Sequence, residues 1–136
     1  MITNKNIADE AKVRYLQVSI AALTAGNDKA ATRLMPLPKC RITEVLIMAD
    51  GDDAGIDAGN TSVWEVKSGT NTVASKTFNN TVTFPDAGKT TALTLDATKD
   101  ELAAGTILTY AITNGATAAT PATIMRIAYV PMDGRE

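Results

Sequence analysis

The clearest pattern of hydrophobic and polar positions lies in the last third of the chain, Leu102–Pro131. Large apolar residues occupy every second position within residues 107–113, and the same alternation recurs within residues 123–130. A period of two is what a β-strand imposes on its side chains. The Asn114-Gly115 pair between the two segments is a turn signal, and Pro131 closes the second one. This region therefore predicts two β-strands.

Further segments of the same kind precede this region. They are Val13–Ala22, Ala31–Leu37, Arg41–Ala49, Ser62–Ser68, Asn71–Phe78 and Thr90–Asp96. Arg41–Ala49 is apolar on both faces, which is typical of a central, buried strand. Ser68-Gly69-Thr70 predicts a hairpin between two of the segments.

About eight short strands without a sustained helical period predict an all-β, antiparallel β-sandwich, and jelly-roll topology is favoured for eight strands. We expect a single sandwich domain over residues 13–136 and a short N-terminal arm over residues 1–12. Pro36 and Pro38 each lack a backbone donor, so their segment is expected at a sheet edge or at a corner between sheets.

Two places have the sequence of a short helical turn. Ile7–Lys12 is rich in helix-forming residues but too short to hold a helix alone. Thr98–Glu101 has capping-box spacing, since a Thr is followed three positions later by a Glu. We expect a one-turn helix there that places Leu102 against the end of the sandwich.

Charge and composition argue against several classes of binding partner. The 136 residues carry 13 basic and 15 acidic side chains, a formal net charge of -2, with no basic stripe that could follow a nucleic acid backbone. Aromatic residues make up 4% of the chain, which argues against a base-stacking platform or a ring-lined sugar groove. No apolar run approaches the roughly 20 residues that span a bilayer, and no secretory signal is visible. We therefore expect no nucleic acid or membrane partner and synthesis in the cytoplasm.

The sharpest candidate for a ligand site is the segment from Asp50 to Asp57, where four carboxylates fall within eight residues. The candidate metal ligands are Asp50, Asp52, Asp53 and Asp57. Calcium takes several hard oxygen ligands from a flexible loop. The match to an EF-hand loop is partial, because Ala54 lacks an oxygen and Thr61 stands where a bidentate Glu is needed. A solvated acidic loop without a metal is the favoured interpretation, and no cofactor is expected.

Catalytic chemistry has little support in the sequence. The chain has no histidine, which excludes Ser-His-Asp and Cys-His arrangements and removes the main nitrogen ligand of zinc sites. A carboxylate pair for glycoside cleavage stays open, since Asp57, Glu65, Asp86 and Asp96 could converge in space, but nothing in the sequence brings them together. Gly88-Lys89-Thr90 matches the end of a phosphate-binding loop by chance, since Thr83 replaces the upstream glycine. The chain is therefore expected not to be an enzyme.

Several conspicuous residues have simple structural interpretations. The single Cys40 has no partner in its own chain and is expected to be a small buried hydrophobe. Trp64 is expected to fill the core or an interface, because its alternation partner Val66 is apolar. Glu44, Glu65 and Lys67 are expected to point outward from their strands.

Four segments carry a resemblance to a known group of proteins. They are ITEVLIMADGDDAG from Ile42, NTSVWEVKSGTNTVASKTF, TTALTLDATKDELAAGTILTYAITNG and TPATIMRIAYVPM. Their strand entry Leu-x-Ala-Gly-x-x-Leu-x-Tyr, the Asn-Gly turn and the last strand ending in Tyr-Val-Pro resemble small β-sandwich decoration or cement proteins of tailed bacteriophage capsids. The likeness covers about two-thirds of the chain.

The resemblance implies that the protein is part of the virion, on the capsid exterior, and that its partner is the major capsid protein. It also implies a homo-oligomer, with a trimer favoured, that stabilises the shell. Two other classes stay open. One is a tail, baseplate or fibre module that binds a cell-surface glycan, and the other is an unrelated bacterial adhesin or shell-like β-module.

The N-terminal arm supplies the candidate capsid contacts. Ile2 and Ile7 are the large aliphatic residues of an otherwise polar segment, which has too few apolar groups to pack as an element of its own. On a capsid, these two side chains could be buried against a neighbouring subunit.

Overall fold

The computed structural model describes residues 12–132, and over this range the chain forms ten β-strands and no helix. In chain order the strands are β1 (Arg14–Ile20), β2 (Lys29–Arg33), β3 (Cys40–Ala49), β4 (Ser62–Ser68), β5 (Asn71–Phe78), β6 (Thr90–Ala92), β7 (Thr94–Leu95), β8 (Glu101–Leu102), β9 (Leu108–Asn114) and β10 (Thr123–Pro131). All pairings between them are antiparallel. The predicted all-β antiparallel sandwich is confirmed. Between residues 12 and 132 there is no helical segment of membrane-spanning length and apolarity.

The strands form two five-stranded sheets. Sheet 1 has the order β1-β10-β3-β6. Strand β8 lies on the same side of β3 as β6, but it pairs with the start of β3, whereas β6 pairs near its end. Sheet 2 has the order β2-β9-β4-β5-β7. Strand β3 is therefore central in sheet 1, as its sequence predicts, and β4 and β5 form the predicted hairpin at Gly69. The segment with Pro36 and Pro38 lies where the chain passes from sheet 2 to sheet 1.

The core lies between the sheets and is built by alternate residues of each strand. In β9, Leu108, Tyr110 and Ile112 are buried, as the period of two predicts. A bulge at Thr43 changes the alternation of β3, so that both Ile42 and Val45 face inward. Burying such a side chain stabilises the fold by about 1.5–3 kcal/mol.

An aromatic cluster occupies one part of this core. Trp64 is 1% exposed, and its ring centroid lies 5.7 Å from that of Phe84 and 6.5 Å from that of Phe78. Trp64 therefore fills the core, one of the two roles predicted for it. Lys76 closes the neighbouring edge, because its Nζ donates to Thr91 Oγ1 (3.2 Å) and to the Ala92 carbonyl (3.3 Å) of the opposite sheet.

Three local predictions need correction. The segment Thr90–Asp96 is not one strand, because β6 belongs to sheet 1 and β7 to sheet 2 and the chain changes sheets at the buried Leu93. The segment Ala31–Leu37 is strand only to Arg33, at the end of β2. The capping-box helix at Thr98–Glu101 does not form. Its end belongs to the unpredicted strand β8, which places Leu102 in the core.

Asp96 explains the missing helix. Its Oδ1 accepts hydrogen bonds from the Thr98 hydroxyl (2.6 Å) and backbone N–H (2.9 Å), so the Thr98 side chain is engaged in a turn and does not cap a helix. The hydrogen bond from the Thr98 side chain, followed by that from its backbone, lowers the pKa of the Asp96 carboxyl. The other predicted helical turn, Ile7–Lys12, lies outside the described residues except for Lys12, as does the arm before it.

A buried hydrogen-bond network joins sheet 2 to the turn before β2. Ser62 Oγ donates to Asn114 Oδ1 (2.6 Å) and accepts from Trp64 Nε1 (3.0 Å). Asn114 Nδ2 donates to the Asn27 carbonyl (3.0 Å), and the Asn114 backbone N–H donates to Asp28 Oδ1 (2.8 Å). Every polar atom of the Asn114 side chain therefore has a partner, which is the condition for burying an amide without a penalty.

We expect Asn114→Ala to lower the free energy of unfolding by about 2–3 kcal/mol, because Ser62 and Asn27 lose their hydrogen-bond partner inside the protein. Urea denaturation measures the loss. Thr113→Ala is the matched control, since Thr113 is the exposed neighbour on the same strand and should change stability by less than about 0.5 kcal/mol. Equal losses in the two variants would contradict the structural role of the network.

Candidate functional surface

The acidic loop does not assemble its four carboxylates into one group. Asp52 Oδ1 accepts a hydrogen bond from the Ala87 backbone (3.1 Å), whereas Asp57 Oδ1 accepts from the backbone N–H groups of Gly59 (2.9 Å) and Asn60 (2.8 Å). Within residues 12–132 no three His, Cys, Asp or Glu side chains lie together so that they could hold a metal ion. The candidate ligands Asp50, Asp52, Asp53 and Asp57 therefore do not come together as a group of three or more.

The protonation of the loop follows from these contacts. Hydrogen bonds from Asn60 and Gly59 lower the pKa of the Asp57 carboxyl, which stabilises the ionised form. The pKa of Asp53 is raised, mainly because the group is partly desolvated and also because Asp52 and Asp86 lie near it. In this loop, the Asp57 carboxylate therefore closes a turn, and the ionised form of Asp53 is less stable than that of an ordinary Asp.

The loop is fixed against the segment that connects β9 to β10. Ala54 and Ala119 exchange two backbone hydrogen bonds of 3.0 and 2.8 Å, and Thr117 Oγ1 donates to the Gly55 carbonyl (2.8 Å). Gly55 has a φ of 69° and lies so close to the Thr117 carbonyl that a Cβ would collide with it. Gly115 is also constrained, since a Cβ would lie 2.6 Å from Asn60 Cα. The glycines of this region therefore serve close packing.

We expect Gly55→Ala to cost at least about 2 kcal/mol more stability than Gly88→Ala, measured by urea denaturation. Both glycines have positive φ values, 69° and 77°, so both substitutions introduce similar backbone strain of about 1–2 kcal/mol. Only Gly55 also has a backbone neighbour in the way of the new Cβ; Gly88 has none within 4 Å. A loss in Gly55→Ala no larger than that in Gly88→Ala would mean that the loop is not packed as described.

Two of the four carboxylates considered for glycoside cleavage line a common pocket. Glu65 and Asp96 face a shallow depression on sheet 2, whereas Asp57 and Asp86 are not among its lining residues. Asp96 is engaged by Thr98, and its lowered pKa keeps it ionised. General acid catalysis requires a carboxyl whose pKa is raised. Asp96 has a lowered pKa and therefore does not suit that role.

The remaining sequence candidates have defined positions. Cys40 is fully buried, and burial raises the pKa of its thiol. Gly88-Lys89-Thr90 forms a turn that leads into a strand, whereas a phosphate-binding loop leads into a helix. The proposed capsid contacts Ile2 and Ile7 lie outside the described residues.

The two outer faces of the sandwich differ in character. On sheet 2 the outward residues are mostly small and polar, with Glu65 and Lys67 paired at 3.6 Å and Val63 as the larger apolar residue. Other outward positions there include Thr109, Ala111, Thr113, Ser75, Thr77, Thr72 and Arg33. On sheet 1, by contrast, large aliphatic residues occupy the centre of the face.

We call this surface of sheet 1 the outer face. The strand register places its central residues in three rows across the sheet: Ser19, Ile124, Met48 and Thr90; Gln17, Arg126, Leu46 and Ala92; and Tyr15, Ala128 and Glu44. A fourth row, Val130 and Arg41, continues toward β8. Leu46, Met48 and Ile124 are half-buried, and 56% of Tyr15 is exposed. Gln17, Leu46, Met48, Thr90, Ile124 and Arg126 line a shallow pocket of about 200 Å³. Apolar side chains grouped on an exposed strand face are typical of a protein contact.

Sequence reasoning missed this face although β3 carried a signal for it. Leu46 and Met48 alternate with the inward-facing Val45 and Ile47, a two-sided apolar pattern that predicts a strand buried on both faces. In a two-layer sandwich a strand has one face toward the core, so the second apolar face of β3 lies on the surface. Arg126 and Tyr15 lie on the same face because β1 pairs with β10, and strand alternation alone does not specify that pairing.

No protein-family model matches the chain, and a search of curated proteins finds no match.

Proposed function

We propose that this chain is a bacteriophage structural protein that binds the outside of the capsid and stabilises it, as decoration or cement proteins do. The proposal is supported by the resemblance of the strand and turn motifs and by the two-layer sandwich that carries them. Its partner would be the major capsid protein, and its location the exterior of the virion.

The observation that carries the proposal is the outer face of sheet 1. Full burial of an aliphatic side chain contributes about 1.5–3 kcal/mol, so covering Leu46, Met48 and Ile124 would drive binding of a complementary protein surface. The face is supported from below by the core residues of β3 and β10. It can therefore dock without refolding, which lowers the entropic cost of association.

The aromatic residues favour a protein partner over the alternative, a tail or fibre module that binds a glycan. Of one Trp, two Phe and three Tyr in the sequence, Trp64, Phe78, Phe84 and Tyr110 are buried. Tyr15, the aromatic side chain on the outer face, stacks on Arg126. A glycan groove lined with several rings has no counterpart on this face.

We include a jelly-roll topology and a trimeric assembly in the proposal. The jelly roll is supported by the strand orders β1-β10-β3 and β2-β9-β4, in which the successive strands β1, β2 and β3 and the pair β9 and β10 alternate between sheets. The trimer follows from the resemblance alone, and sedimentation equilibrium of the purified protein tests it.

We expect the purified protein to co-sediment with capsids that lack it, prepared from the phage that encodes it, and Met48→Glu to weaken this binding more than tenfold. The introduced carboxylate would have to be desolvated within an apolar contact. Val63→Glu is the matched control, since it places the same charge on the outward side of sheet 2 and should bind like the unmodified chain.

Two results would contradict this account. If the unmodified protein binds no capsid, the tail or fibre module becomes the better proposal, and binding to host cell-surface glycans is the next measurement. If Met48→Glu binds as well as the unmodified chain, the outer face is not the contact, and deletion of residues 1–6 then tests the arm with Ile2 and Ile7.

A further inference from the structure

Arg126 lies at the centre of the outer face. Its cross-strand neighbours are Gln17 on β1 and Leu46 on β3. It is the cation of the three central rows, and Glu44 is their anion. The next row along β3 adds Arg41, which is paired with Glu101 of β8. The chain thus places a guanidinium among aliphatic side chains on the surface most suited to a protein partner.

The contacts of the guanidinium hold it in place without using its donors. Its carbon lies 4.6 Å from the centroid of the Tyr15 ring, a cation–π contact that leaves the N–H groups at the edge of the guanidinium plane free to donate. Nη2 lies 3.7 Å from Glu44 Oε1, which is an ion pair but too long for a hydrogen bond. Nε is buried and has no hydrogen-bond partner within residues 12–132.

A buried donor without an acceptor is costly, and native proteins leave few of them. An acceptor that arrives with a binding partner would remove this cost, so the unsatisfied Nε favours the bound state. In the free chain Nε has no contact with solvent, and the neighbouring side chains must therefore move to admit the acceptor. Tyr15 and Gln17 are exposed neighbours that can do so.

We propose that Arg126 binds a carboxylate, the side chain of an Asp or Glu that the partner protein inserts into this face. Nε and one Nη of an arginine can donate two parallel hydrogen bonds to the two oxygens of a carboxylate. Leu46, Met48 and Ile124 surround the site with apolar surface that suits the methylene stem of such a side chain. A polyphosphate backbone fits poorly, because the two outward cations of sheet 1, Arg126 and Arg41, each lie beside a carboxylate, Glu44 and Glu101 respectively.

This inference deepens the proposed function and rests on it, since the partner would be the capsid subunit. The experiment compares capsid co-sedimentation of Arg126→Met, which keeps the apolar stem, and Arg126→Lys, which keeps the charge but not the paired donors. Lys67→Met on the opposite face is the matched control for loss of a positive charge. Thermal unfolding of each isolated variant verifies that it is folded.

We expect both Arg126 variants to bind capsids at least about tenfold more weakly than the unmodified chain, because a desolvated charge pair is broken. Their melting temperatures should stay close to that of the unmodified chain, and Lys67→Met should bind normally. Binding of either Arg126 variant at the unmodified affinity would overturn the proposal. Unmodified affinity in Arg126→Lys would mean that a positive charge at this position is enough for binding, without the paired donors of an arginine.

Failure of the unmodified chain to bind capsids would overturn the proposed function, and a second measurement then decides the role of Arg126. Sodium propionate serves as the probe, and the Nε–H resonance of Arg126 is followed by NMR against sodium chloride at equal ionic strength. A saturable shift with propionate, absent with chloride, would support a carboxylate site. Equal responses to the two salts would rule it out.

Discussion

Strand β3 carries aliphatic side chains on both of its faces in a fold that has only one interior. Its inward residues, among them Val45 and Ile47, are fully buried and hold sheet 1 against sheet 2. Its outward residues Leu46 and Met48 meet Ile124 of β10 on the surface, where water contact is unfavourable. The same strand therefore organises the core and leaves the apolar surface on which the proposed function depends.

Other parts of the fold keep this strand in a fixed position. The Ser62–Asn114 network ties sheet 2 to the turn before β2, and the hydrogen bonds between Ala54 and Ala119 fix the loop that follows β3. Lys76 joins β5 to β6, which is the neighbour of β3. These contacts come from different ends and edges of the sandwich, so the outer face of sheet 1 rests on a rigid base.

The fold class could be predicted because alternation within a strand is a local property. Residues 107–113 and 123–130 show it, and they lie in strands β9 and β10 except for Ile107. Strand ends and short strands were less predictable. At Thr98, the capping-box spacing was outweighed by the hydrogen bonds to Asp96, and the change of sheet at Leu93 depends on packing between distant segments.

The candidate surface was harder to predict than the fold. The four carboxylates of the acidic loop are candidate metal ligands because they are close in sequence. In the fold, however, Asp52 and Asp57 accept hydrogen bonds from different segments. The outer face instead combines Tyr15, Leu46 and Arg126, which come from three separate strands. These residues are close because the strands follow the order β1-β10-β3, and this order cannot be predicted from the alternation within any one strand.

The central claim is that the outer face of sheet 1 meets the capsid, and thiol protection tests it most directly. The native Cys40 thiol is buried with a raised pKa and should react slowly, so Met48→Cys and Val63→Cys each provide a reporter on one face. The measurement is the rate of maleimide labelling with and without bound capsid. The account predicts that capsid slows labelling in Met48→Cys and leaves the rate in Val63→Cys unchanged. Equal rates with and without capsid in Met48→Cys, under conditions where the protein is bound, would contradict it.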